Sequence, residues 1–111
     1  MARFVRGEVV VVPFPFTDLS DTKNRPAVVL HDSGAADIIL CQVTSQHTNL
    51  DGLAVSITSG DFSSGWLHID SYARVNRLFT FSRDRVVRSC GRLSQLKTSQ
   101  IVQTLVSMLQ S

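Results

Sequence analysis

The sequence has two cysteines, one tryptophan and no long apolar run, and residues 71–111 hold a single acidic side chain, Asp84. Each scarcity excludes something. Cys41 and Cys90 have no His or Cys neighbours at metal-ligand spacing, so they do not make a zinc site. Cys41 lies in an apolar run (Ile38, Ile39, Leu40, Cys41, Val43) and reads as a small buried hydrophobe. The longest apolar stretch runs from Val9 to Phe16, far short of the roughly 20 residues that cross a bilayer. The N-terminal residues are partly basic but lead into no apolar signal region, which predicts no signal peptide and a cytoplasmic protein, where a disulfide is not expected. No repeat, low-complexity tract or linker interrupts the chain, so one domain spanning residues 1–111 is expected.

What is present is ordinary globular material with an uneven charge. The apolar fraction is 43% and the charged fraction 18%, enough to bury a core and too apolar for disorder. Residues 1–70 carry a balance of −4 and residues 71–111 a balance of +6, through Arg74, Arg77, Arg83, Arg85, Arg88, Arg92 and Lys97 against Asp84. Nine of the eleven cations are arginine, which forks onto phosphate and stacks on bases. A basic C-terminal part fits a nucleic-acid partner; the competing reading is a solvated basic surface.

The hydrophobic pattern is one of short strands. Glu8–Val12 is a buried strand that Pro13 and Pro15 are expected to end, because proline cannot donate to a ladder. Residues 17–24 read as a loop of turn formers, Pro26–Leu30 as a second strand, and Asp37–Thr44 as a third. Leu53, Val55 and Ile57 alternate as in a half-exposed strand, and residues 59–65 read as a loop. Trp66–Asp70, Val75–Phe81 and Val86–Cys90 read as further short strands. The period then changes. Ser94 is a plausible N-cap, and Ile101, Leu105, Met108 and Leu109 share one face of a terminal helix. The fold expected is mainly β, a small barrel closed or flanked by one helix.

Gly7–Asp18 (GEVVVVPFPFTD), followed by Lys23–Leu30 (KNRPAVVL), resembles the opening of the PemK/MazF family of type II toxin–antitoxin toxins. Val43–Ser45, Ser71–Thr80 and Gly91–Ser94 before the helix are similar to later parts of that family, in order along the chain. The resemblance implies an SH3-like β-barrel with a C-terminal helix, acting as a homodimer. It also implies a sequence-specific endoribonuclease that cuts single-stranded RNA, inhibits translation and growth, and needs no cofactor. A cognate antitoxin is the implied protein partner, with DNA binding in its company. Two alternatives stand beside this reading. One is a non-catalytic nucleic-acid-binding module on the same barrel. The other is a gyrase poison of the CcdB type, which the lack of any aromatic residue after Phe81 argues against.

Metal-free RNA cleavage needs a base for the 2′-OH, donors for the phosphorane and an acid for the leaving oxygen. Arg25 stands between a loop and a buried strand, where the resemblance implies a catalytic arginine. Its side chain gives up a proton poorly near neutrality, so an electrostatic clamp is the expected role. Thr44 ends the third strand and matches the family's catalytic hydroxyl, expected to bond phosphate. Some family members carry an acidic base within the segment corresponding to Ser71–Arg77, which here has none. The base is left among Asp18, His47 and Asp70, with Asp18 favoured. RNA contacts are expected from Phe16, Thr17, Lys23, Asn24, Ser45, Gln46, Arg74 and Arg77. Phe14 and Tyr72 can stack bases, although Phe14 and Phe16 are better placed in the core. Trp66 is expected in the core or a dimer interface, and His31 and His68 as ordinary strand-end residues. No metal site is expected.

Overall fold

A computed structural model describes residues 3–15, 22–46 and 52–111 of the chain. Seven strands build one antiparallel sheet: β1 (Glu8–Pro15), β2 (Thr22–His31), β3 (Asp37–Thr44), β4 (Ala54–Ile57), β5 (Phe62–Gly65), β6 (Ser71–Ser82) and β7 (Arg88–Leu93). Their order across the sheet is β4-β6-β3-β2-β1-β7-β5. Helix α1 (Gln95–Gln110) follows β7. The expected architecture, mainly β with one terminal helix, is what the chain adopts. Among the described residues no helix is long and apolar enough to cross a membrane.

The central strands are β-branched runs buried on both faces, and the alternation of their side chains sorts them into two clusters. Val9, Val28, Cys41, Val43, Val55, Ala73 and Val75 form one, closed by Ile101 of α1. Val10, Val12, Ala27, Val29, Ile38 and Leu40 form the other, covered by Phe4, Phe79, Phe81 and Val86. Cys41 is fully buried, and burial pushes its thiol up to about 12, so it is inert packing.

Helix α1 begins as expected at Ser94, whose hydroxyl accepts the Lys97 backbone N–H at 3.1 Å, a cap worth about 1 kcal/mol. Ser94 N–H donates to the Asp61 carbonyl at 2.7 Å, and Lys97 Nζ lies 3.7 Å from the Asp61 carboxylate. The helix is thereby tied to the short turn Ser59–Asp61 before β5. Ile101 is buried and Leu105 packs against its cluster. Leu109, expected on the same face, is 69% exposed, while Met108 beside it is half-buried.

Several strand boundaries depart from expectation: β6 begins at Ser71 rather than Val75, and β7 runs Arg88–Leu93 rather than Val86–Cys90. β1 continues through Pro13 to Pro15. Its ladder with β7 reaches only Val11, whereas its ladder with β2 extends to Pro15; beyond Val12 one side of β1 pairs with nothing among the described residues, an edge-like place where a missing N–H is tolerated. β2 begins at Thr22 rather than Pro26 and, among the described residues, pairs only with β1 until Ala27 meets Gln42, so Pro26 also sits in a singly paired stretch. The expected loop at 59–65 contains β5, an exposed strand held by close approach of Gly65 to Gly91 across β5 and β7. Gly65 has φ +70°, and a Cβ on it would collide with the Cys90 carbonyl, so no other residue fits this crossing. Trp66–Asp70, expected as a strand, is not one. The segment crosses over β1 and anchors itself by Leu67, which packs onto the helix-side cluster.

Candidate active site

The face that carries Val10, Val12, Ala27 and Leu40 changes character toward one end of the sheet. Along β3 the sequence of inward positions is Ile38, Leu40, Gln42, Thr44; along β2 it is Val29, Ala27, Arg25, Lys23. Residues two apart share a face, so the apolar cluster gives way to a polar row. The pairings are Ala27 with Gln42, Gln42 with Arg74, and Thr44 with Tyr72. Continuing the β2–β3 register by two residues sets Arg25 opposite Thr44, and Arg25 also pairs with Val12 of β1. Directly opposed residues hold their Cβ atoms about 5 Å apart. Arg25, Gln42, Thr44, Tyr72 and Arg74 therefore form one patch across β2, β3 and β6, all of them half-buried.

A rigid apolar floor supports the patch. Phe14, on the same face of β1, meets Phe79 edge to face with centroids 5.3 Å apart, and Phe79 packs on the Val12–Leu40 cluster. The Thr44 hydroxyl accepts the Gln46 backbone N–H at 3.2 Å, which orients it. Gln42 Oε1 and Arg74 Nε are buried and have no hydrogen-bond partner among the described residues. Leaving such groups unmade costs about 1–3 kcal/mol each, so both atoms are positioned to take a partner from water or a bound ligand. The patch offers two guanidinium groups, a hydroxyl, an amide and a phenol beside an aromatic wall, the equipment for holding a phosphodiester and an unpaired base.

Residues 5–109 match the family of PemK-like, MazF-like toxins of type II toxin–antitoxin systems. The chain belongs to this family. Its fold is similar to that of an endoribonuclease from a mycobacterial species in complex with its cognate antitoxin, at 14% identity and TM-score 0.77 over 97% of this chain and 96% of that one. It is also similar to a MazE–MazF complex from Deinococcus radiodurans, at 17% identity and TM-score 0.74 over 95% and 94% of the two chains. MazF from the same organism gives 18% identity and TM-score 0.71, with 96% of each chain covered. At these identities the likeness is one of fold. No curated protein matches the sequence.

In this PemK/MazF-like chain the structure brings Arg25, Thr44 and Arg74 into one patch with Tyr72, and adds Gln42, which sequence reasoning missed. Its signal was a lone polar residue at an inward position of an otherwise apolar strand. Lys23 follows Arg25 on the same face of β2 and is exposed, and Ser45 and Gln46 are exposed just past Thr44. Asn24 alternates to the opposite face. Arg77 is exposed in an irregular stretch of β6, where Val75–Arg77 fit between the partners of Cys41 and Gln42. Asp70 is exposed two residues before Tyr72. His31 ends β2 at the far end of the strand from Arg25, and His68 lies over the other face. Phe16, Thr17, Asp18 and His47 lie outside the described residues.

Not every C-terminal cation faces solvent. Arg83 is 3% exposed and is taken up inside the fold by Asp32, while Lys97 is buried against Asp61. The basic surface is carried instead by Arg77, Arg85, Arg88 and Arg92, which are exposed. Trp66 is 58% exposed, so the core placement expected for it does not hold. Among the described residues no group of three or more His, Cys, Asp or Glu side chains is arranged to hold a metal ion.

Proposed function

We propose that this toxin is an endoribonuclease that cleaves single-stranded RNA by attack of a 2′-OH on the adjacent phosphate. The observation that carries the reading is the shared face of Arg25, Thr44 and Arg74, two cations flanking a hydroxyl. In this mechanism the 2′-oxygen bonds to phosphorus, the bond to the 5′-oxygen breaks, and the 5′-side product keeps a 2′,3′-cyclic phosphate. Arg25 and Arg74 balance the charge that grows on the non-bridging oxygens, and the Thr44 hydroxyl donates to one of them. A base takes the 2′-OH proton, with Asp18, His47 and Asp70 the groups available for it, and the departing 5′-oxygen takes up a proton from the protonated base or from water. Tyr72 and Phe14 hold the flanking bases. The chemistry asks nothing of a metal ion, because cations of the chain itself meet the phosphate.

The working unit in this reading is a homodimer of a single domain. The apolar side chains that the fold leaves exposed, among them Val5, Leu78 and Val87, are surface for a second copy. A cognate antitoxin restrains the toxin, as one is bound to the mycobacterial endoribonuclease of the same fold. RNA and DNA of one long sequence, each incubated with the protein and EDTA, test the activity. The RNA is expected to be cut and the DNA left whole; an intact RNA would remove the proposal. Light scattering is expected to give twice 12.2 kDa, and a monomer mass would remove the dimer.

A further inference from the structure

Strand β6 carries more chain than its partner β3 can pair with. Arg74 lies opposite Gln42, yet Leu78 lies opposite Cys41, the adjoining residue of β3. Consecutive Cα atoms are about 3.8 Å apart, whereas four extended residues span about 13 Å. The excess chain has to leave the ladder. Val75 does not carry it: its side chain is buried in the helix-side cluster, and its backbone N–H donates to the Leu53 carbonyl at 3.4 Å. The displaced residues are therefore Asn76 and Arg77, and both are exposed.

This bulge stands beside the Arg25 patch. Along β6 it is bracketed by Arg74, a member of the patch, and by Phe79, which meets Phe14 to form the aromatic wall. Bulges recur next to active sites, where they re-aim side chains that a regular strand would hold in its ladder. The cations of the patch give it no sequence preference, because contacts to phosphate position a strand without reading it. Reading a base takes a donor and an acceptor in a defined arrangement. The Asn76 amide has both, on a short stem that starts from the anchored Val75. Gln46, another exposed amide near Thr44, lies beyond the end of β3, whereas Asn76 lies within a strand that is paired on both sides of it.

We propose that Asn76 reads one base of the single-stranded RNA beside the cut, its amide carried to the edge of the patch by the bulge in β6. The proposal rests on the RNA-cleavage reading and assigns a source for its sequence preference. Unpaired bases are recognised by stacking on an aromatic side chain and by hydrogen bonds to the exposed edge. A base on the Phe14–Phe79 wall with its phosphate at Arg74 has the bulge between them within reach of that edge. The amide then pairs with a base that offers the complementary donor and acceptor side by side.

The test is the pattern of cut sites. A long RNA is cut in EDTA by wild type, Asn76→Ala and Asn76→Asp, and the ends of the products are sequenced. Preference is scored at each position as a ratio of cutting between bases, so a slower variant still gives it. Wild type is expected to prefer one base at a position next to the cut. Asn76→Ala is expected to lose that preference roughly tenfold, as for loss of one paired base contact, while the other positions keep theirs. Asn76→Asp, which keeps the size of the side chain but has acceptors alone, is expected to move the same position toward guanine, whose N1–H and N2–H donate side by side. It carries the test by itself if Asn76→Ala melts early. An unchanged pattern in both variants, or a preference weakened evenly at every position, would overturn the role of Asn76 and leave the Arg25 site in place. Wild-type cutting with no base preference would do the same. A wild-type protein that cuts no RNA would remove the RNA-cleavage reading, and the role of Asn76 with it.

Discussion

Arg83 grips Asp32 across 51 residues of sequence. One end of the guanidinium donates to Asp32 Oδ2 at 2.8 Å and the other pairs with Oδ1, while Nε donates to the Ala35 carbonyl at 2.8 Å. The carboxylate also accepts the Phe4 N–H at 2.9 Å and the Gly34 N–H at 2.8 Å. Both side chains are 1% exposed. Three separate segments, the N-terminal stretch, the β2–β3 turn and the turn after β6, meet on this pair, close to the cluster that floors the Arg25 patch.

The Arg83 guanidinium, with the Phe4 and Gly34 amides, holds the Asp32 carboxyl well below the ordinary carboxylate range. A group whose folded pKa is depressed contributes stability that is complete above its unfolded value, about 3.9, and that drains away as pH falls below it. Thermal melts from pH 7 to pH 3 should therefore show Asp32→Asn melting on the order of 10 °C below wild type at neutrality. The gap should narrow as the pH falls below about 4. A gap that stays constant down to pH 3 would show that the charge of Asp32 does not hold these segments.

Gln42 sits where a buried strand would be more stable with an apolar residue, its Oε1 without a partner among the described residues. Replacing a buried unsatisfied polar group by an apolar one of similar size is neutral or stabilising. Gln42→Leu should leave the melting temperature equal to or above wild type while lowering RNA cleavage by about tenfold, the pattern of a site residue that costs stability. A variant as stable and as active as wild type would return Gln42 to simple packing.

The base is separable by pH. If His47 takes the 2′-OH proton, its neutral form is the active one and the rate should rise through a pH near ~6.5. If a carboxylate takes it, the rise should be complete well below neutrality. Asp18 is the expected base, so the profile should be flat between pH 6 and 8, and Asp18→Asn should abolish cleavage while His47→Ala leaves it intact. A rise confined above pH 6 that His47→Ala removes would assign the proton to the histidine.

Much of this arrangement was legible in the chain itself, and what was not has physical reasons. Asp37–Thr44 was readable as β3 because its alternation is clean, and α1 because Ser94 caps a run of helical period ending one face at Ile101. The resemblance makes Arg25 and Thr44 candidate site residues, but their common face follows from the β2–β3 register, which local pattern does not specify. β1 was cut short because the rule against proline in sheets ignores which side of a strand is an edge. Trp66–Asp70 has strand-like composition but crosses over β1 instead of pairing, a tertiary outcome. Arg83 counts among the basic C-terminal residues in the sequence because its partner lies 51 residues away, and Gln42 carries no signal inside its strand of what stands opposite it, because its pairing with Arg74 is non-local.

The central claim is that a 2′-OH attacks phosphate within the Arg25 patch. Cleavage of two single-stranded RNAs in EDTA, identical except for one deoxyribose 5′ to the mapped cut, tests it most directly when run with wild type and Arg25→Ala. Wild type should cut the all-ribose strand to a 2′,3′-cyclic phosphate product and leave the deoxy-substituted bond intact. Arg25→Ala, folded by circular dichroism, should cut the all-ribose strand roughly 10²-fold more slowly, as for loss of one transition-state donor. Cutting of the deoxy-substituted bond, or near-normal turnover by folded Arg25→Ala, would contradict the account.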